Sequence, residues 1–292
     1  MKRMTFNSDK GVESIEFDND LDRLVPFVYV TNNDMIMHCM RSVYTLFKYK
    51  RPGYNMAVVI YLSDDFTEMT ADLRREMRML NALDMECRVR FARFPPFVLD
   101  RVKRLNQYTL RLPWTCARWF VPELVDGVPT GFYVDSDTLF LSDPVECLDR
   151  HGIDVSGDLP MVSGADDVFT GSSFPEGYRN AGFLMMNLKR CRENGFTQKL
   201  ETSMKDYQYG CLDQECLNSV YREELSRLKL PSCMNMSTGA FKSIRIGEDR
   251  DIVMAHFTGD SKYGSRHFGS NSPFDHRFIY ESWLYESMRD NF

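Results

Sequence analysis

Apolar and polar positions alternate between two rhythms along the first third of the chain. Leu24-Val-Pro-Phe-Val-Tyr-Val30 is an almost unbroken apolar run that stops at Thr31-Asn-Asn-Asp34, which predicts a buried strand. Over residues 35–49 the apolar positions Ile36, Met40, Val43, Leu46 and Phe47 recur at helical spacing, and Pro52-Gly53 ends that helix. Met56-Ala-Val-Val-Ile-Tyr-Leu62 predicts a second strand, residues 66–83 a second helix with Leu73, Met77 and Leu80 on one face, and residues 86–91 a third strand. Strands apolar on both faces, separated by helices, predict a mostly parallel sheet covered on both sides. Such sheets bind ligands at the carboxyl ends of their strands.

Further along, residues 115–124 read as a helix, and residues 131–134, 182–188 and 251–256 as strands. Helical patterns return over residues 189–207 and 213–221. Residues 1–22 are polar and acidic and read as a loose lead-in. The tail carries Phe274, Phe278, Trp283 and Tyr285 and reads as a helix that packs back onto the body. The expected organisation is one α/β domain over residues 23–265, with a lead-in over 1–22 and a helical tail over 266–292.

Composition narrows the choice of ligand. The chain has 292 residues, of which 43% are hydrophobic and 13% aromatic, enough for a large packed core. Its 36 basic and 42 acidic residues give a net charge of -6, which argues against nucleic acid as a partner. An anionic ligand would have to be met by a metal and a few placed cations. The eight cysteines form no C-x-x-C pair and read as reduced core thiols rather than a zinc site. The basic N-terminus lacks the apolar run of a secretory signal. No apolar stretch approaches the ~20 residues of a spanning helix. These features point to a cytoplasmic protein without a transmembrane segment. They leave peripheral membrane association through the tail, and the oligomeric state, open.

The chemistry-bearing residues come in short clusters. Asp135 and Asp137 follow directly on the strand over 131–134, and carboxylates two apart on extended chain face one side, where a hard divalent cation can take both. An Asp at a strand end is also a common turn former. His256 ends another strand and is a candidate third ligand, its nitrogen favouring Mn²⁺ over Mg²⁺. Gly259 and Lys262 follow it on one loop, suited to a phosphate. Asn180-Ala181-Gly182 precedes a strand, while Asp213 and Gln214 open a helix; Asn180, Asp213 and Gln214 carry the polar groups that sugar hydroxyls require. Asp213 also suits a helix cap, and Arg118 a surface arginine with a buried stem.

Taken together, these segments resemble glycosyltransferase family 8. The resemblance is carried in order by Thr31-Asn-Asn-Asp34, Cys116-Ala-Arg118, Tyr133-Val-Asp-Ser-Asp-Thr-Leu139, Asn180-Ala-Gly-Phe-Leu-Met-Met-Asn-Leu188, Asp213-Gln214 and His256-Phe-Thr-Gly-Asp-Ser-Lys262. It implies a single GT-A domain, Rossmann-like, that uses Mn²⁺ (or Mg²⁺), a UDP-sugar donor and a carbohydrate or glycoconjugate acceptor. The implied metal ligands are Asp135, Asp137 and His256. Val30, Thr31, Asn32 and Asp34 would meet uracil and ribose, and Gly259 and Lys262 the diphosphate. Arg118, Ser136, Ala181, Gly182 and one of Asp166 and Asp167 would surround the donor sugar, with Gln214, Asp213 and Asn180 nearest the chemistry. The implied reaction is transfer with retention, by front-side attack, glucose or galactose being the family's common donor sugars.

Two other readings compete. Asp135-Ser-Asp137-Thr resembles the nucleophile strand of haloacid-dehalogenase phosphohydrolases, but there the Thr stands two residues after the second Asp and the strand is the domain's first. The other is a GT-A domain that binds a sugar nucleotide without transferring it. A nucleotidyltransferase ranks last, because the first loop lacks a glycine-rich basic segment.

Overall fold

A computed structural model describes residues 1–19, 21–64, 66, 69–106, 114–166, 177–206, 212–237, 252–258, 285 and 287–288. In chain order the first half contains β1 (Lys2–Ser8), β2 (Gly11–Phe17), β3 (Leu24–Thr31), α1 (Ile36–Tyr49), β4 (Asn55–Leu62), α2 (Ala71–Leu83), β5 (Cys87–Arg93) and α3 (Pro96–Asn106). A 3-10 turn (Thr115–Phe120) leads into α4 (Val121–Leu124), β6 (Val125–Asp126), β7 (Thr130–Val134), β8 (Thr138–Phe140) and α5 (Pro144–Arg150). Then follow β9 (Val162–Asp166), β10 (Arg179–Asn187), α6 (Leu188–Glu193), α7 (Phe196–Asp206), α8 (Leu212–Val220) and α9 (Arg222–Arg227). The last described elements are β11 (Lys229–Leu230), a second 3-10 turn (Ser232–Asn235), β12 (Met236–Ser237) and β13 (Met254–His256).

The central sheet has seven strands in the order β11-β9-β10-β7-β3-β4-β5. It is parallel except where β10 runs antiparallel between β9 and β7. Its two faces divide the core by strand alternation. Val28, Val30, Ala57, Val59 and Tyr61 face one cluster; Phe27, Tyr29, Val58 and Ile60 face the other, with α1 and α2. The mostly parallel sheet with helices on both faces is thus the α/β architecture expected from the pattern. No helix among the described residues is long and apolar enough to cross a membrane.

Four local expectations are corrected. Residues 1–22 are no loose lead-in: β1 and β2 form an antiparallel hairpin that pairs Lys2 with Phe17 and Ser8 with Gly11. Met4, Phe6, Ile15 and Phe17 alternate with polar residues and are buried, a period-two signal masked by the polar composition. The helix read over 115–124 is a 3-10 turn followed by one turn of α4. Pro122 has no N–H to bond Arg118, so the Val121 N–H takes that carbonyl instead. The helix read from residue 66 begins at Ala71, where the Thr70 hydroxyl accepts from the Leu73 N–H at 3.1 Å. The pattern over 189–207 splits at Gly195, whose φ of +64° lies in the left-handed region. Of the tail, Tyr285 is buried; its ring lies 5.6 Å from that of Tyr44 and its hydroxyl donates to the Glu76 carboxylate. Phe274, Phe278 and Trp283 lie outside the described residues. Six of the cysteines are buried and Cys233 half-buried, while Cys211 lies outside the described residues.

Candidate functional site

The site grows from the carboxyl end of β7, where the chain turns through Asp135-Ser136-Asp137 into β8. The acidic pair therefore sits in a tight turn, not on extended chain. The Thr138 hydroxyl donates to the Asp135 carbonyl at 2.9 Å and the Ser136 hydroxyl to the Val30 carbonyl at 3.0 Å, fixing the turn against β3. Backbone bonds clamp it from both sides: Asp135 N–H to the Gly182 carbonyl (2.8 Å) and Phe257 N–H to the Asp137 carbonyl (2.8 Å).

The second of these clamps explains how a distant histidine arrives. β13 runs antiparallel to β8 with His256 opposite Thr138. His256 Nε2 then lies 3.3 Å from Asp137 Oδ1 and 3.5 Å from Asp135 Oδ2. Burial pulls the imidazole's proton affinity down, but the carboxylates of Asp137 and Asp135 outweigh it, so its pKa is raised above the ordinary value. Asp135, Asp137 and His256 can each offer one ligand atom, all within 4.8 Å of one another. Two carboxylate oxygens and one imidazole nitrogen fit a divalent transition ion better than the all-oxygen shell Mg²⁺ prefers.

A buried arginine stands behind the acidic pair. Arg118 Nη2 lies 3.2 Å from Asp135 Oδ1 and Nε 3.0 Å from Asp213 Oδ2, while Nη1 donates to the Ala181 carbonyl at 2.6 Å. Its guanidinium stacks on the Tyr133 ring at 4.8 Å, and the Tyr133 hydroxyl donates to Asp135 Oδ1 at 2.6 Å. Arg118 is therefore a buried bridge between two carboxylates, not a surface arginine. Asp213 is buried at the start of α8, and that burial raises its carboxyl pKa against the opposing pull of Arg118.

The Asn180-Ala-Gly182 segment is the hub. It lies where the ladder between β10 and β9 shifts register, so its backbone groups are available to side chains. Ala181 N–H donates to Gln214 Oε1 at 2.9 Å, and Gly182 N–H to Asn180 Oδ1 at 2.8 Å. A Cβ on Gly182 would lie 2.2 Å from His256 Cε1, so only glycine leaves room for the imidazole.

The remaining candidates separate. Val30 and Thr31 are buried at the end of β3; Asn32 Oδ1 accepts from the Met35 N–H at 2.9 Å in the turn before α1, and Asp34 is exposed on that loop. Of the two acids left open, Asp166 faces Arg179 and Lys229, with one oxygen on each. Asp167, Gly259 and Lys262 lie outside the described residues. Two residues were missed. Tyr133 stood inside the quoted motif but was read as strand filler. Asn235, bonded to both Asn180 and His256, carries no spacing signal.

The family model "Glycosyl transferase family 8" matches residues 167–263, bearing out the resemblance read from the sequence. None of the curated proteins matches the chain. Among solved structures, the galactosyltransferase LgtC, in complex with donor and acceptor sugar analogues, aligns with a TM-score of 0.67 at 16% identity, over 89% of this chain and 96% of its own. The bifunctional glycosyltransferase WbbM aligns at 0.64 and 19% identity over 91% of this chain, and GlyE of Streptococcus pneumoniae TIGR4 at 0.66 and 16% over 92%. This chain spans 50% of WbbM and 63% of GlyE. These likenesses show the shared fold, that of GT-A glycosyltransferases.

Proposed function

We propose that this protein is a retaining, metal-dependent hexosyltransferase that moves a sugar from a UDP-sugar donor to a carbohydrate or glycoconjugate hydroxyl. The family match supports a glycosyltransferase, and the convergence of Asp135, Asp137 and His256 at the mouth of β7 carries the metal-dependent reading. Mn²⁺ held there would supply Lewis-acid stabilisation of the departing diphosphate, a contribution of several kcal/mol. Lys262 and the Gly259 backbone belong to the same charge-neutralising role.

Arg118 holds Asp135 and Asp213 in place, so the carboxylates keep their positions as charge builds on the leaving group. Gln214 is oriented by accepting from the Ala181 N–H. A carbonyl oxygen has two lone pairs, and the second suits an oxocarbenium-like ring carbon. An amide is a poor nucleophile, so front-side attack is preferred to a covalent intermediate. The first loop, Val30 to Asp34, belongs to uracil and ribose; Ser136, Asn180, Asp213 and one of Asp166 and Asp167 belong to the sugar. With both Asp166 oxygens on cations, Asp167 is the better choice.

The test is slow hydrolysis of a panel of UDP-sugars, glucose and galactose first, with Mn²⁺ and without an acceptor. One donor should be turned over, and Asp137→Asn should abolish that while preserving the fold. Near-normal turnover in this variant would sink the metal assignment. UDP binding with no hydrolysis of any donor would favour a binding domain, and phosphate release from simple phosphomonoesters a phosphohydrolase.

A further inference from the structure

Asn235 is 2% exposed and sits at the end of the second 3-10 turn, beside β12 and β13. Its amide spans two partners: Nδ2 donates to Asn180 Oδ1 at 2.7 Å, and Oδ1 lies 3.0 Å from His256 Nδ1. The polarity of this chain of bonds can be read without ambiguity, because it starts from a backbone N–H. Gly182 N–H can only donate, so the Asn180 atom it meets at 2.8 Å is the oxygen. That oxygen can only accept, so the Asn235 atom facing it is the NH₂ group. The Asn235 oxygen therefore faces His256, and the nitrogen it meets must be Nδ1–H. Nε2 points at Asp137 and Asp135, so it carries a proton toward them or a cation in that proton's place.

We propose that Asn235 is a positioning residue that fixes the Nδ1–H tautomer of His256 and presents Nε2 as a metal ligand. The inference rests on the metal-site reading above. Ligating histidines characteristically donate their other ring N–H to an acceptor that sets tautomer and ring orientation, and loss of such a partner costs about 10- to 100-fold in metal affinity. Here the acceptor is an uncharged amide whose direction is set by the β10 backbone. The Gly182 position, with no room for a Cβ beside the ring, closes the other side of the imidazole. Ring orientation is thus held from two elements, the second 3-10 turn and β10.

The experiment compares the full-length wild type with Asn235→Ala and Asn235→Asp in two measurements. Nitrogen-15 NMR of the metal-free proteins reads whether Nδ1 of His256 carries a proton and how fast that proton exchanges, the signal being assigned by its loss in His256→Gln. Titration with Mn²⁺ alone reads affinity. The wild type should show a slowly exchanging Nδ1–H held by the Asn235 oxygen. Asn235→Ala should lose that protection and weaken Mn²⁺ binding by about 10-fold or more. Asn235→Asp keeps an acceptor for Nδ1–H but no donor for Asn180, so it should retain the protected Nδ1–H and most of the Mn²⁺ affinity while losing stability. A merely structural Asn235 would not give this split. If Asn235→Ala does not fold, the Nδ1–H signal of Asn235→Asp decides.

An Nδ1 without its proton in the wild type, or unchanged Nδ1–H exchange and Mn²⁺ affinity in Asn235→Ala, overturns the proposal. A folded wild type that binds no Mn²⁺ overturns the metal reading instead, while the Nδ1–H signal still decides whether Asn235 sets the ring.

Discussion

At the scale of single residues, the site is built from groups that cannot be exchanged for near relatives. Gly182 is the clearest case. A methyl there would lie 2.2 Å from His256 Cε1, 2.6 Å from Nδ1 and 2.9 Å from Asn180 Oδ1. The imidazole is buried and bonded to Asn235, so it cannot swing aside cheaply. Gly182→Ala should fold with a loss of about 1–3 kcal/mol from overpacking, and its Mn²⁺ affinity should fall by about 10-fold or more. Denaturant titration and calorimetry check the two numbers; unchanged Mn²⁺ binding would show that the ring is not held as described. The sequence offers Gly182 as a glycine before a strand, suited equally to a turn, a bulge or a ligand contact. What it excludes is a side chain, and the group that needs the space comes from residue 256. Arg118 makes the same point. Its apolar neighbourhood was visible in Trp119 and Phe120, but two carboxylate partners from other elements turned it from a surface arginine into a buried bridge.

Among the elements, legibility followed the strength of the period. β3, β4 and α1 were readable because burial on both faces, or on one helical stripe, leaves a dense apolar pattern. The hairpin β1–β2 was hidden because its buried apolar residues are only two per strand, set among charged and polar ones. It nonetheless contributes Met4, Phe6, Ile15 and Phe17 to the core cluster beside β3 and β4. Phe6→Ala should therefore cost about 3–5 kcal/mol, as in other buried aromatics, measured by urea unfolding. Limited proteolysis should spare residues 2–17 in the wild type; early cleavage there would restore the loose lead-in. The short strands β8 and β13 carry little pattern of their own. Their pairing is long-range, and it decides the site.

Over the whole molecule, the candidate ligands join two distant stretches of chain: Asp135 and Asp137 on the turn after β7, and His256 on β13. An ion bound by all three would stabilise the folded state only, by about 2.7 kcal/mol at a hundredfold excess over Kd. Mn²⁺ should thus raise the melting temperature of the wild type, EDTA should reverse the rise, and neither should affect Asp137→Asn. A rise of equal size in that variant would place the ion elsewhere. The sequence by itself determined the layered α/β plan, because strand and helix periods are local properties of the chain. It also marked the segments proposed to carry the chemistry, since Asp-x-Asp, Asn-Ala-Gly and the residues after His256 are legible as short motifs. Only the tertiary structure decided which atoms meet. It turned Asp166 toward Arg179 and Lys229, put Asn235 behind His256, and made Arg118 the bridge from Asp135 to Asp213. Those pairings depend on strand register and on space left by a single absent methyl, quantities that exist only once separate segments are packed together.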